Sequence, residues 1–94
     1  MKIQWLDYAV QDLRSLRNYI KRDNPTVAKE VSIRILKTVN RLVDHPGMGR
    51  MGRVPNTREL VIADLPYIIP YKVKNNVIEI LRVLHGAMEW PDKF

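Results

Sequence analysis

The chain contains no cysteine, only two histidines, and seven aromatic residues among 94. Without cysteine there is no disulfide framework and no thiolate metal site, so the fold rests on packing alone. With His45 and His85 as the only imidazoles, and no carboxylates at ligand spacing around them, no metal centre is expected. No cofactor-binding signature is present either. The glycine-rich stretch lacks the Gly-Lys-Ser/Thr ending of a phosphate loop. Long apolar runs are also missing: the longest are strand-length, which excludes a membrane-spanning helix. The opening MKIQWLDYAV carries Asp7 where a signal peptide would be apolar, which points to the cytoplasm. Repeats, low-complexity tracts and linkers are absent, and residues 1–94 read as a single domain, one small enough that its core is marginal.

Positive charge, by contrast, is plentiful. Sixteen Lys and Arg against ten Asp and Glu leave a formal charge of +6. On so small a body this favours acidic partners, either nucleic acid or an acidic protein, although a solvated basic surface also aids solubility.

Periodicity divides the chain. Residues 2–6 alternate as a short strand, and Asp7 is placed to cap a helix. Ala9, Leu13, Leu16 and Ile20 then form a helical stripe. Asn24-Pro25 caps a second helix with proline at its first position. Its stripe is Ala28, Val31, Ile35, Val39 and Leu42, and Asp44 to Gly47 stop it. Residues 44–57 hold three glycines, two prolines, Arg50 and Arg53, and read as a mobile basic loop. From Arg58 the period becomes two, with Leu60 and Ile62 on one face and Glu59, Val61 and Ala63 on the other. A strand from Tyr67 to Lys74 carries Pro70, which demands a bulge or an unpaired position. Asn75-Asn76 suits a two-residue hairpin turn, and Val77 to Leu84 reads as one central strand. The order β-α-α-β-β-β predicts an α+β fold, a helix hairpin packed on a mostly antiparallel four-stranded sheet.

Several residues invite a chemical role. Arg82 falls on the same strand face as Ile78, Ile80 and Leu84. Its head either pairs with a carboxylate such as Glu59 or Asp64, or faces an anion-binding site. His85, beside Gly86, is placed to act as general acid or base or to donate to a phosphate, unless it is a satisfied structural histidine. Arg50, Arg53, Arg58 and Arg82 could together form a basic patch beside the sheet. Trp90 either locks the tail onto the core or offers a stacking surface.

The blocks "NP" at Asn24-Pro25, "HPGMGR" at His45 to Arg50, "PYIIPYKV" at Pro66 to Val73 and "IEILRVLHGAMEWP" at Ile78 to Pro91 occur in one order across nearly the whole chain. In this they resemble the ParE/RelE superfamily of toxins from bacterial toxin-antitoxin pairs. The resemblance implies a toxin held inactive by a cognate acidic antitoxin in a hetero-oligomer. RelE-like members cleave mRNA in the ribosome, and ParE-like members inhibit DNA gyrase. RelE nucleases usually place arginine where this chain has Ile68, and lysines on the strand that here carries Glu59 and Val61. Those cations would stabilise a pentavalent phosphate. The ending LHGAMEWP looks closer to ParE, with Met88 in place of a frequent arginine.

The expectation is therefore a ParE-like gyrase inhibitor that arrests growth by binding. Its target-binding set is Arg50, Arg53, Arg58, Arg82, His85, Met88 and Trp90. The competing expectation is a ribosome-dependent mRNA endonuclease using Arg58, Arg82 and His85 with Glu59 as base. A third is a paralogue that only binds its antitoxin.

Overall fold

A computed structural model describes all residues 1–94. The elements are β1 (Lys2–Trp5), α1 (Asp7–Lys21), α2 (Pro25–Asn40) running into a single 3-10 turn (Arg41–Val43), β2 (Arg50–Met51), β3 (Arg58–Val61), β4 (Tyr67–Lys74), β5 (Val77–Ile80) and β6 (Leu84–His85). The α+β expectation holds, with two additions. The loop contributes the short β2, and the last strand is split into β5 and β6. The sheet therefore has six strands in the order β1-β5-β4-β3-β2, with β6 on β4. All pairs are antiparallel except β1 with β5, which run parallel.

The helices form where the apolar stripes placed them. Asn24 accepts a hydrogen bond from the Val27 N–H at 3.1 Å, satisfying a donor that the first turn leaves free. Pro25 sits at the first helical position, where its missing N–H leaves nothing unpaired. The start of α1 differs from expectation. Leu6 occupies the cap position without a side-chain hydrogen bond, and Asp7 lies inside the first turn. There its charge still favours the positive end of the helix.

One face of the sheet is covered by the hairpin. Leu60, Ile62, Ile69, Tyr71, Ile78 and Ile80 meet Ala9, Val31, Ile35, Val39 and Leu42 in one apolar core, flanked by Ile3, Trp5, Leu13 and Leu16. At about 25 cal/mol per Å² of apolar area, this cluster is the main source of stability. The Asn75-Asn76 turn takes positive φ at both positions, 51° and 63°, as a tight hairpin requires.

Val77–Leu84 is not one continuous strand. Tyr71 pairs with Ile80 and Ile68 with Leu84, so Ile69 and Pro70 on β4 face Leu81, Arg82 and Val83 on the other side. One extra residue makes a bulge. Pro70 lacks an N–H, which prevents a regular ladder there, while its carbonyl accepts from the Leu81 N–H at 2.9 Å. The bulge shifts the side-chain alternation, so Arg82 does not share a regular strand face with Ile78, Ile80 and Leu84.

Candidate functional site

Directly paired residues of neighbouring strands share a face, so Glu59, opposite Arg50 and Pro70, lies on the side away from the helices. Yet Glu59 is only 3% exposed. A carboxylate can be buried only if its charge is balanced and its lone pairs are filled. Here four donors do so. Oε1 accepts from Arg50 Nε and Nη2 at 3.1 and 3.0 Å, and Oε2 accepts from the Arg53 backbone N–H at 2.8 Å and Arg53 Nε at 3.2 Å. Burial alone would raise its pKa. The Arg53 N–H, the side-chain bonds from both arginines and the Arg53 charge outweigh that and hold it below the ordinary carboxylate value. Both arginines keep about half their side-chain surface exposed, 54% for Arg50 and 47% for Arg53.

The C-terminal tail closes on this cluster. The Arg53 guanidinium lies 3.6 Å from the centroid of the Trp90 ring, a stacked cation–π pair. The Trp90 indole N–H donates to the His85 carbonyl at 3.4 Å. His85 is exposed, packs edge-on against Tyr67 with centroids 5.9 Å apart, and accepts from the Ala87 N–H through Nδ1 at 3.1 Å. That bond engages Nδ1 and leaves Nε2 as the ring nitrogen without a partner. Met88 is exposed in the same segment. Arg50, Arg53, Glu59 and Trp90 are thus gathered on the open side of the sheet, with Met88 exposed in the connecting segment, whereas the His85 ring lies with its pairing partner Tyr67 on the helix side and joins the cluster only through its backbone carbonyl.

Arg58 and Arg82 are placed elsewhere. Arg58 pairs with Tyr71 on the helix side and donates to the Gly49 carbonyl at 2.9 Å. Arg82 joins neither Glu59 nor Asp64. Its Nε and Nη2 donate to Asp12 of α1 at 2.7 and 3.1 Å, and the Val83 N–H freed by the bulge donates to the same carboxylate at 3.0 Å. The hydrogen bond to Asp12 raises the Arg82 pKa further, against the effect of burial. The Tyr8 ring lies 5.5 Å away, and Asp64 pairs with Arg34 instead. The four arginines expected in one patch are therefore divided. Arg50 and Arg53 share a cluster, while Arg58 and Arg82 serve the loop and the bulge.

The basic loop is also better anchored than its glycines suggest. The Tyr71 hydroxyl accepts from the Gly49 N–H at 2.9 Å and donates to the Pro46 carbonyl at 2.8 Å. Burial raises the Tyr71 pKa despite the opposing Gly49 bond and Arg58 charge, so the hydroxyl keeps the proton it donates. A Cβ at Gly49 would sit 2.6 Å from Tyr71 Cε1, so the close approach requires glycine.

Asp12 and Tyr71 were missed by sequence reasoning. A signal existed for Asp12, which follows Ala9 by three residues and precedes Leu16 by four, a carboxylate on an apolar stripe. For Tyr71 there was none beyond its place on the core face.

Chemically, the open-face cluster can hold an anion or an acidic surface through the outward donors of two fixed guanidinium groups. It contains no group of three or more metal-ligating side chains. A general base needs a free lone pair, and Glu59 has both oxygens engaged.

A model of the ParE toxin of type II toxin-antitoxin systems, parDE, matches residues 3–90. The chain is 44% identical over 90 residues to a Sinorhizobium fredii protein named "Putative toxin Y4kP", covering 96% of this chain and 93% of the relative. It is 31% identical over 86 residues to Toxin RelE2 of Caulobacter vibrioides, covering 92% and 96%. A solved structure from the chromosomal ParDE system of P. aeruginosa superimposes with a TM-score of 0.83 at 30% identity, over 90% of this chain and 95% of that one. With the helix hairpin, nearly all of the sheet and the tail as far as Trp90 inside the matched span, the chain belongs to the ParE toxin family of type II toxin-antitoxin systems.

Proposed function

We propose that this toxin arrests growth by binding DNA gyrase and not by cutting mRNA, and that a cognate acidic antitoxin neutralises it in a hetero-oligomer in the cytoplasm. The observation that carries this reading is the engagement of Glu59. As the candidate base it is buried and saturated by Arg50 and Arg53, while Ile68 pairs with Val61 and Leu84 where a nuclease of the RelE type would place cations. His85 is left with Nε2 only, and Arg58 and Arg82 face other elements. Losing one electrostatic donor typically costs on the order of a hundredfold or more in rate, so this set is poorly suited to a phosphoryl transition state. Binding needs only a fixed surface. Arg50, Arg53 and Trp90 supply one, bordered by the exposed Met88 and, at the sheet end, by His85, with Arg58 and Arg82 acting through the segments they hold. No helix is long and apolar enough to cross a membrane.

For the antitoxin, a cleft of about 460 Å³ runs between α2 and the β3 edge, lined by Arg34, Arg41, Arg50, Met48 and Val61. Its mixture of cations and apolar side chains suits an acidic amphipathic segment. The test pairs a supercoiling assay on purified gyrase with a translating-ribosome reaction read by primer extension. Supercoiling is expected to fall and the message to stay whole. Codon-phased cuts with unimpaired supercoiling overturn the proposal in favour of the endonuclease reading, and no effect in either assay favours an antitoxin-binding paralogue.

A further inference from the structure

The Glu59 carboxylate joins two segments that the sequence keeps far apart. It fixes Arg50 and Arg53 of the basic loop, and Arg53 in turn carries the ring of Trp90 from the tail. We propose that Glu59 is a positioning residue: it makes the no contact with the target itself, but sets Arg50, Arg53 and Trp90 as one rigid recognition surface for an acidic target. This rests on the binding function proposed above and names the group that organises its site.

Three observations support it. First, a sheet position facing away from the helix-covered core does not need a buried carboxylate. Surface Arg–Glu pairs contribute little to stability, whereas this one is 3% exposed with every lone-pair direction filled. Second, the bonds are asymmetric. Arg50 gives Nε and Nη2, leaving Nη1 for an outside acceptor. Arg53 gives its backbone N–H and Nε, leaving both terminal nitrogens outward. Two guanidinium groups on one carboxylate keep a net positive charge with their orientation already paid for in folding, so less side-chain entropy is lost on binding. Third, Trp90 stacks on the very guanidinium that Glu59 holds, so the tail's position depends on the loop's. The Trp90 indole also reaches the His85 carbonyl, which ties the end of β6 to the same unit.

The experiment uses the full chain in a Trp5→Phe background, so that Trp90 is the single tryptophan reporter. Variants are Glu59→Gln, Arg53→Lys and Arg50→Lys, each checked for a cooperative melt. Readouts are Trp90 emission and quenching by iodide, growth arrest on induction, and gyrase supercoiling. In Glu59→Gln, Trp90 emission is expected to move to the red with greater quenching, and potency in growth arrest to fall about tenfold, the equivalent of one charge-assisted hydrogen bond. Arg53→Lys should move Trp90 in the same way with Glu59 intact. Arg50→Lys should weaken potency while leaving Trp90 where it is. The proposal is overturned if Trp90 is unmoved in folded Glu59→Gln and Arg53→Lys, or if it moves with growth arrest undiminished. Should Glu59→Gln fail to melt cooperatively, Arg53→Lys decides alone by the same two criteria. Growth arrest by the parent chain without loss of supercoiling sinks only the gyrase assignment, because the link to Glu59 is then judged on growth arrest.

Discussion

Individual residues carry more of this structure than their types suggest. Gly49 admits the Tyr71 ring, and the Tyr71 hydroxyl then satisfies one donor and one acceptor of the loop. Gly49→Ala forces that ring or the backbone to shift and is expected to cost about 1–3 kcal/mol in a denaturant melt. An unchanged midpoint would mean the loop adjusts freely. Glu59 makes a pH-dependent contribution. Its pKa is lowered in the folded chain, so the unfolded chain binds more protons around the ordinary carboxylate range, and stability rises with pH there. The contribution is fully present above the unfolded value and is lost as pH falls through the lower folded one. Melts from neutral pH down to about pH 3, below the ordinary Glu value of about 4.3, should show the gap between the native chain and Glu59→Gln closing. A gap that widens on acidification contradicts the assignment.

At the scale of elements, much was legible in the sequence and some was not. The second helix could be read from its cap and its stripe because both are local, three or four residues apart. The Asn75-Asn76 turn was legible for the same reason. The break between β5 and β6 was not, although Pro70 announced an irregularity, because the extra residue lies on the strand opposite the proline. That one-residue slip also hid the partner of Arg82. Asp12 is 70 positions away, and only tertiary packing brings it to the bulge. In the candidate site the residue types were legible but not the grouping, since Arg58 and Glu59 are adjacent yet face opposite sides of the sheet. The tail gives a test at this scale. The core cluster contains no residue beyond Val83, and one cation–π pair contributes roughly 0.5–2 kcal/mol. Truncation after Glu89 is thus expected to keep a cooperative melt while losing growth arrest. A chain that precipitates instead would make Trp90 a structural residue first.

Over the whole molecule, charge is the dominant feature. Five ion pairs engage Arg34, Arg50, Arg53, Lys72 and Arg82, so most of the 16 basic residues remain available to an acidic partner. Association with the antitoxin is expected to weaken steeply between low and physiological salt, where the screening length falls from about 30 Å at 0.01 M to about 8 Å. Titration calorimetry at several salt concentrations reads this directly, and salt-independent binding would point to the apolar part of the cleft as its main source.

The parallel pairing of β1 with β5 ties Lys2–Trp5 to Val77–Ile80. The β1 segment therefore leaves the ribosome well before its partner β5, and its edge waits unpaired until β5 has been made. At roughly 5–20 residues per second, that wait lasts several seconds, during which the hairpin helices can form but their apolar stripes have no complete sheet to cover. Synthesis thus opens an interval in which the apolar stripes of the hairpin lie uncovered, and that interval closes only once β5 can dock beside β1.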